Sequence, residues 1–174
     1  AAAVKDAVVS GMPLVERVVT VSGSCVAEPQ NVLVKVGMLV SDLVEACGGC
    51  SSPPAKVIIG GPMMGTAQFT MDIPVTKGTS GVLLLNEEEA APVEPMACVR
   101  CGKCVEACSM RLMPLWIASY AEAGRFDDAE RMNALDCIEC GCCSFICPSR
   151  RRLVQAIRLA KSEIMAKRRK AQAS

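Results

Sequence analysis

Twice in this chain of 174 residues, four cysteines fall within eleven positions in the order C-x-x-C-x-x-C-x-x-x-C. The first run is CVRCGKCVEAC, from Cys98 to Cys108; the second is CIECGCCSFIC, from Cys137 to Cys147. Three thiolates spaced two residues apart share one tight loop and suit three irons of a cubane. The fourth lies one helical turn further on and points away; in two-cluster ferredoxins it serves the other cluster. The spacing therefore assigns Cys98, Cys101, Cys104 and Cys147 to one 4Fe–4S cluster, and Cys137, Cys140, Cys143 and Cys108 to a second. Such crossed ligation would hold the clusters close, which favours electron transfer between them. Disulfides compete poorly, because a cytosolic cysteine pattern is more often metal-binding or catalytic. Structural zinc usually takes C-x-x-C pairs, or cysteine with histidine, across a longer loop, and this chain has no histidine. Cys142 fits no ligand slot and reads as a small buried apolar residue.

The length allows one or two small domains. Half the residues are apolar but only five are aromatic, so the core must be aliphatic and rich in methionine. Cluster binding would add to the folding free energy of the cysteine-rich half. No apolar run reaches the length of a membrane span. The start, AAAVKDAVVSG, is interrupted by Lys5 and Asp6 and is no signal peptide. It also lacks an initiator Met, so the chain reads as part of a larger protein. Reduced cysteines imply a cytoplasmic setting. The formal charge of +1 conceals an asymmetry: residues 1–149 carry net −7 and residues 150–174 net +8. A basic end suits an acidic partner or an anionic membrane surface, or is simply a solvated helix face.

In chain order, residues 1–16 read as a helix followed by a turn at Gly11-Met12-Pro13. Residues 17–22 and 31–36 are β-branched and alternating, with turn chemistry at Glu28-Pro29-Gln30-Asn31, and read as a hairpin. A helix is expected over 38–47, with Ser41 and Asp42 as early caps and Gly48-Gly49 as its stop. Residues 56–60, 73–77 and 81–85 read as short strands. Hairpin, helix and further strands make an α+β pattern that resembles a β-grasp. Cys47-Gly-Gly-Cys50 closes a helix rather than opening one, which argues against a redox role; Cys25 reads as core. GGPMMG, residues 60–65, matches no phosphate-binding fingerprint and implies close backbone approach to something. No nucleotide fingerprint exists elsewhere, and no acid–base pair or nucleophile is evident. Residues 86–97 are acidic, contain two prolines and read as a linker. Beyond it, helices are expected over 114–123, 126–133 and 150–167, the last with Leu153, Ile157, Ala160 and Ile164 as its apolar stripe. Trp116 and Tyr120, four apart, should pack in the core against the clusters. Residues 167–174 should fray. The expected fold is thus α+β: a β-grasp domain over 17–85 after an N-terminal segment of 1–16, then a helical ferredoxin domain over 98–166 and a basic tail.

The order of ERVVTVSG, GGPMMG, the proline linker, CVRCGKCVEAC, LMP, CIECGCCSFICPS and LVQAIRLAK resembles the C subunit of the Rnf complex. Rnf is a membrane-bound, ion-translocating ferredoxin:NAD oxidoreductase. The β-grasp segment is similar to the SLBB domain. The resemblance covers nearly the whole chain and implies a peripheral subunit on the cytoplasmic side of the membrane. Its partners would be the other membrane subunits and a redox partner on the ferredoxin side, with no nucleic acid. It implies an electron relay whose cofactors are two 4Fe–4S clusters and whose flavin and NAD site lies elsewhere, so these residues alone should lack NADH activity. Ser109 stands where the family usually has proline, and Arg111 where a smaller residue is commoner. Gly102 and Gly141 would let the ligand loops fold tightly over the clusters. The alternative is a β-grasp and iron–sulfur module of the cobalamin-reductase type.

The charges suggest an order of potentials. Arg100 and Lys103 lie inside the first loop. Arg150, Arg151 and Arg152 follow Cys147 and are expected to open a helix against its dipole. Asp136 and Glu139 flank the second loop. Positive surroundings favour a reduced cluster, so the Cys98 cluster is expected to have the higher potential.

Overall fold

The computed structural model describes residues 2–173, so Ala1 and Ser174, the outermost residues of the two expected terminal segments, lie outside it. The chain divides into two compact units, Ala1–Ala91 and Pro92–Ser174. Among the described residues, no helix is long and apolar enough to cross a membrane.

The first unit opens with α1 (Ala2–Ser10), which buries none of its residues. It continues with β1 (Glu16–Ser22), β2 (Gln30–Lys35), α2 (Val40–Ala46), β3 (Lys56–Ile59), β4 (Thr66–Gln68), β5 (Gly81–Leu85) and α3 (Glu87–Ala90). The strands form one mixed sheet in the order β2-β1-β5-β3-β4. β1 and β2 make the expected antiparallel hairpin, with Val19 opposite Val32. β5 then inserts parallel to β1 and antiparallel to β3. The parallel central pair flanked by antiparallel neighbours is the β-grasp arrangement. Alternation selects the buried face: Val19 and Val21 of β1 and Val82 and Leu84 of β5 are fully buried, against Val40, Leu43 and Val44 of α2. Gly23 makes the close crossing possible. Its φ is +123°, and a Cβ there would overlap the Leu84 carbonyl oxygen.

Several expectations are corrected here. Residues 73–77 are not a strand; only an isolated bridge joins Pro74 to Leu39. Proline lacks the N–H a ladder needs, although Val75 is buried and its amide donates to the Met38 carbonyl at 2.7 Å. The strand after GGPMMG, β4, is only Thr-Ala-Gln, too short to show alternation, and is not among the expected strands. Helix α2 starts at Val40 after Leu39, with no side-chain cap, so Ser41 lies inside it. Its stop is as expected, with Gly48 and Gly49 at φ +79° and +76°. The linker begins as a helix. Asn86 accepts from the Glu89 amide while the Glu89 carboxylate accepts from the Asn86 amide, a reciprocal cap for α3.

The second unit contains α4 (Lys103–Glu106), α5 (Pro114–Glu122), α6 (Phe126–Arg131), a 3-10 turn (Ala134–Asp136), α7 (Cys142–Phe145) and α8 (Leu153–Ala173). Pro114 occupies the first turn of α5, where its missing N–H has no partner to lose. The expected stripe of α8 is buried: Leu153, Ile157, Ala160 and Ile164 are all at 2% exposure or less. Ile157, Ala160 and Ile164 pack with Ile117 and Ala121 of α5 and Ala129 of α6. Trp116 does not join this core; it is 45% exposed and lies beside Tyr120, with ring centroids 6.5 Å apart. Arg125 covers the Tyr120 ring at 4.9 Å. Helix α8 starts three residues later than expected and continues through Ala173, so the basic tail is helical rather than frayed. Two ion pairs tie it down, Lys167 to Asp127 at 2.5 Å and Arg168 to Glu130 at 2.5 Å.

Candidate iron–sulfur centres

The two cysteine runs fold as copies of one another, thirty-nine residues apart in sequence. In each, the third residue is held in the left-handed region: Arg100 at φ +54° and Glu139 at +58°. Their amides turn back onto the first cysteine, Arg100 N to Cys98 Sγ and Glu139 N to Cys137 Sγ, both at 3.4 Å. The glycine two positions on is also left-handed, Gly102 at +80° and Gly141 at +81°. A short helix then starts, α4 or α7, with Val105 N donating to Gly102 O and Ser144 N to Gly141 O. Beyond the fourth cysteine comes another left-handed residue, Arg111 at +54° or Arg150 at +50°. Arg111 N donates to Cys108 O, as Arg150 N does to Cys147 O. The Leu112 amide also reaches Cys108 Sγ at 3.4 Å. Such N–H groups around a thiolate steady its negative charge and raise the potential of iron bound to it.

Two small pockets, each of about 20 Å³, sort the eight cysteines. The first is lined by Cys98, Cys101, Cys104 and Cys147, with Leu115 and Leu153 as its aliphatic wall. The second is lined by Cys137, Cys140, Cys143 and Cys108, with Pro114, Val154 and Ile157. Each thus takes three cysteines from one run and the fourth from the other. Gly102 lines the first cavity and Gly141 the second. A Cβ on Gly102 would meet nothing within 4 Å, so the left-handed φ is what calls for glycine there.

Among the described residues, no three His, Cys, Asp or Glu side chains converge as they would on a single metal ion. The sulfurs instead line two separate pockets, four cysteines to each, a donor set that fits a four-thiolate cluster. Burial pushes the Cys143 thiol up to about 11 and raises Cys104 and Cys137 as well. The Cys142 amide holds Cys140 down. Ligation therefore requires iron to displace protons that the buried thiols would otherwise keep.

The remaining cysteines separate cleanly. Cys142 lines neither cavity and is half-buried, not buried as expected. Cys25 and Cys47 are core. Cys50 is exposed, and burial of its thiol, then neighbouring Cys25, raises its pKa. GGPMMG makes its close approach to its own chain. A Cβ on Gly65 would collide with Ile58 Cγ2, and Gly65 N donates to Gly61 O at 2.7 Å.

Comparison with known proteins matches each unit. The SLBB domain family matches residues 18–67, and the 4Fe-4S dicluster domain family matches residues 97–150. Over 170 residues, 98% of its length, the chain is 49% identical to the C subunit of the Na(+)-translocating ferredoxin:NAD(+) oxidoreductase complex of Acetobacterium woodii. It is 44% identical over 92% of its length to the C subunit of the proton-translocating ferredoxin:NAD(+) oxidoreductase complex of Clostridium ljungdahlii. It is also 44% identical over 95% to the C subunit of the ion-translocating oxidoreductase complex of Methanosarcina acetivorans. The chain belongs to the family of Rnf C subunits. It covers 38%, 35% and 37% of the length of those relatives. Its dicluster domain carries two 4Fe–4S clusters, and its β-grasp is an SLBB domain. Neither domain match covers the whole of its unit: central β5 lies beyond the first, and α8, which walls both cavities, lies beyond the second.

Sequence reading missed how this Rnf family member arranges its charges. Arg150, Arg151 and Arg152 precede α8 rather than opening it. Arg151 lines the first cavity, but its guanidinium donates to the Glu122 carboxylate. Glu139 is not a free anion either. Arg158 Nε reaches it at 2.8 Å and Lys161 Nζ at 2.7 Å, and these cations hold its carboxyl below the usual range, the Lys161 hydrogen bond foremost. Two of the charges behind the expected order of potentials, Arg151 and Glu139, are thereby paired, while Arg100, Lys103, Arg150 and Arg152 are exposed. Glu139 lies 19 and 22 residues from these partners, so no local pattern joins them. The i,i+3 spacing of Arg158 and Lys161 does put both on one helix face.

Proposed function

We propose that this stretch is the electron relay of an Rnf-type complex. In this reading Cys98, Cys101, Cys104 and Cys147 hold one cluster, and Cys137, Cys140, Cys143 and Cys108 hold the other. The observation that carries it is the sorting of the eight cysteines into two cavities, each lined by three from one run and one from the other. When bound, each cluster supplies a one-electron couple. The chain's own residues hold the clusters, shape their surroundings and exclude water. Leu115 and Leu153 do this on one side, Pro114, Val154 and Ile157 on the other. Left-handed Gly102 and Gly141 let the loops close over the sulfurs.

The relay passes single electrons between a carrier on the ferredoxin side and a flavin or NAD site elsewhere in the complex. Its partners are the other subunits of that complex. The chain sits peripherally on the cytoplasmic face of the membrane, held by those partners and aided by the basic end of α8. The relatives named above are oxidoreductase complex subunits, which favours this reading over a cobalamin-reductase module. The test is iron and acid-labile sulfide analysis with EPR on anaerobically reconstituted protein, followed by rapid mixing with a reduced low-potential ferredoxin. About eight irons and eight sulfides, the content of two cubanes, with reduction of both signals by the ferredoxin are expected. Zinc without sulfide, or clusters that the ferredoxin leaves oxidised, would overturn it.

A further inference from the structure

The two ligand loops share one backbone but not one set of supports. At the matching position the first loop has Arg100 and the second Glu139. Arg100 is exposed and makes no ion pair among the described residues. Glu139 is held from two sides. Its carboxylate accepts from Lys161 Nζ at 2.7 Å and from Arg158 Nε at 2.8 Å, both carried by α8. Lys161 Nζ also donates to the carbonyl oxygen of Cys137 at 2.7 Å. The lysine therefore grips both ends of the Cys137–Glu139 turn. That turn is the one in which the Glu139 amide points at Cys137 Sγ. The three side chains are only 19–32% exposed, and together they carry one net positive charge.

We propose that Lys161, with Arg158 and Glu139, is a positioning device that raises the reduction potential of the cluster at Cys137, Cys140, Cys143 and Cys108. This rests on the ligand assignment made above. Two effects act in the same direction. Reduction adds an electron to an anionic centre, and a partly buried net positive charge beside it favours the reduced form, screened less than exposed Arg100 would be. The grip of Lys161 on the turn also keeps the Glu139 N–H aimed at sulfur, and such hydrogen bonds raise iron–sulfur potentials. None of the three residues supplies a ligand in this scheme; they act through the loop.

The experiment is an anaerobic redox titration followed by EPR on the whole chain, reconstituted with iron and sulfide. The signal of this cluster is identified as the one that changes in Cys108→Ser. Lys161→Met should lower its midpoint, with a tenfold fall in its reduced-to-oxidised ratio at fixed potential, about 59 mV for one electron. Glu139→Gln, which removes the anion and keeps the size, should move the same midpoint upward. Lys161→Arg should restore a value near wild type, and Arg100→Gln should leave this midpoint alone. Should Lys161→Met fail to fold, the upward shift in Glu139→Gln decides. Two clusters in every variant with unmoved midpoints would overturn this proposal alone. A wild-type chain that holds only one cluster would overturn the ligand assignment and the proposal with it.

Discussion

Cys104 and Cys108 belong to the same short run around the four-residue helix α4 yet face different cavities, so their removal must have different consequences. Consider Cys108→Ser. All four cysteines of the first cavity, Cys98, Cys101, Cys104 and Cys147, remain. The second keeps Cys137, Cys140 and Cys143 but loses its fourth ligand. Iron content should fall from about eight to about seven per chain if only the unligated iron leaves, or to about four if the cubane is lost. In either case one of the two reduced 4Fe–4S EPR signals disappears and the other keeps its g values and midpoint. Cys104→Ser should remove the other signal, although its position in sequence is only four residues away. Anaerobic iron and sulfide analysis with spin-integrated EPR reads both outcomes. The reasoning fails if Cys108→Ser and Cys104→Ser abolish the same signal, because ligation would then follow each run rather than cross between them.

Three further outcomes follow from packing and charge. Ile157→Ala empties a site that is 1% exposed and serves both the α5–α8 core and the second cavity wall; it should cost about 2–5 kcal/mol and lower the melting temperature of the reconstituted chain. Gly65→Ala drives a methyl into Ile58 Cγ2 and should destabilise the first unit by about 1–3 kcal/mol, read by urea unfolding. Lys167→Ala should raise the Asp127 carboxyl towards its ordinary value, followed by NMR titration, because the Lys167 hydrogen bond is what chiefly lowers it. The sign is that of a depressed acid: the pair stabilises above the unfolded pKa and its contribution is lost as pH falls through the folded one, in the acid range below 3.8.

The readable parts of the fold were those in which one chemical type repeats at one period. β-Branched alternation announced β1 and β2, and the four aliphatic residues of α8 announced its buried face. Elements set by tertiary context were not readable. β4 is a Thr-Ala-Gln tripeptide too short to show a period, and it is a strand through its antiparallel pairing with β3. Residues 73–77 looked like a strand, but Pro74 interrupts any ladder, and the segment is held by bonds to Gly37, Met38 and Val40 instead. Trp116 looked like core because aromatic residues usually are; four-residue spacing from Tyr120 fixes a shared face but not which way that face turns.

The candidate site divides in the same way, and the division has a physical origin. Ligands of a cluster must lie in tight loops, so their spacing is local and the sequence displays it. The field around a cluster is set by side chains that reach it from other elements, and these leave no local trace. Read from sequence, Glu139 was a negative charge beside the second cluster and Arg151 a positive one beside the first. In the folded chain each is answered by a partner from elsewhere, Glu139 by Arg158 and Lys161 of α8, Arg151 by Glu122 of α5. Glu139, Arg158 and Lys161 together carry one net positive charge, partly buried against the second loop. Arg100 and Lys103 on the first loop are both exposed and screened by solvent and salt. Partly buried charge at the second loop thus opposes the exposed cations near the first, Arg150 and Arg152 included, and favours reduction of the Cys137 cluster. Solvent works the other way, because Cys98 and Cys101 are exposed whereas Cys143 is buried, and water favours the more highly charged reduced state. The two terms oppose each other, so charge-neutralising variants that leave exposure unchanged, on each loop separately, are what resolve them.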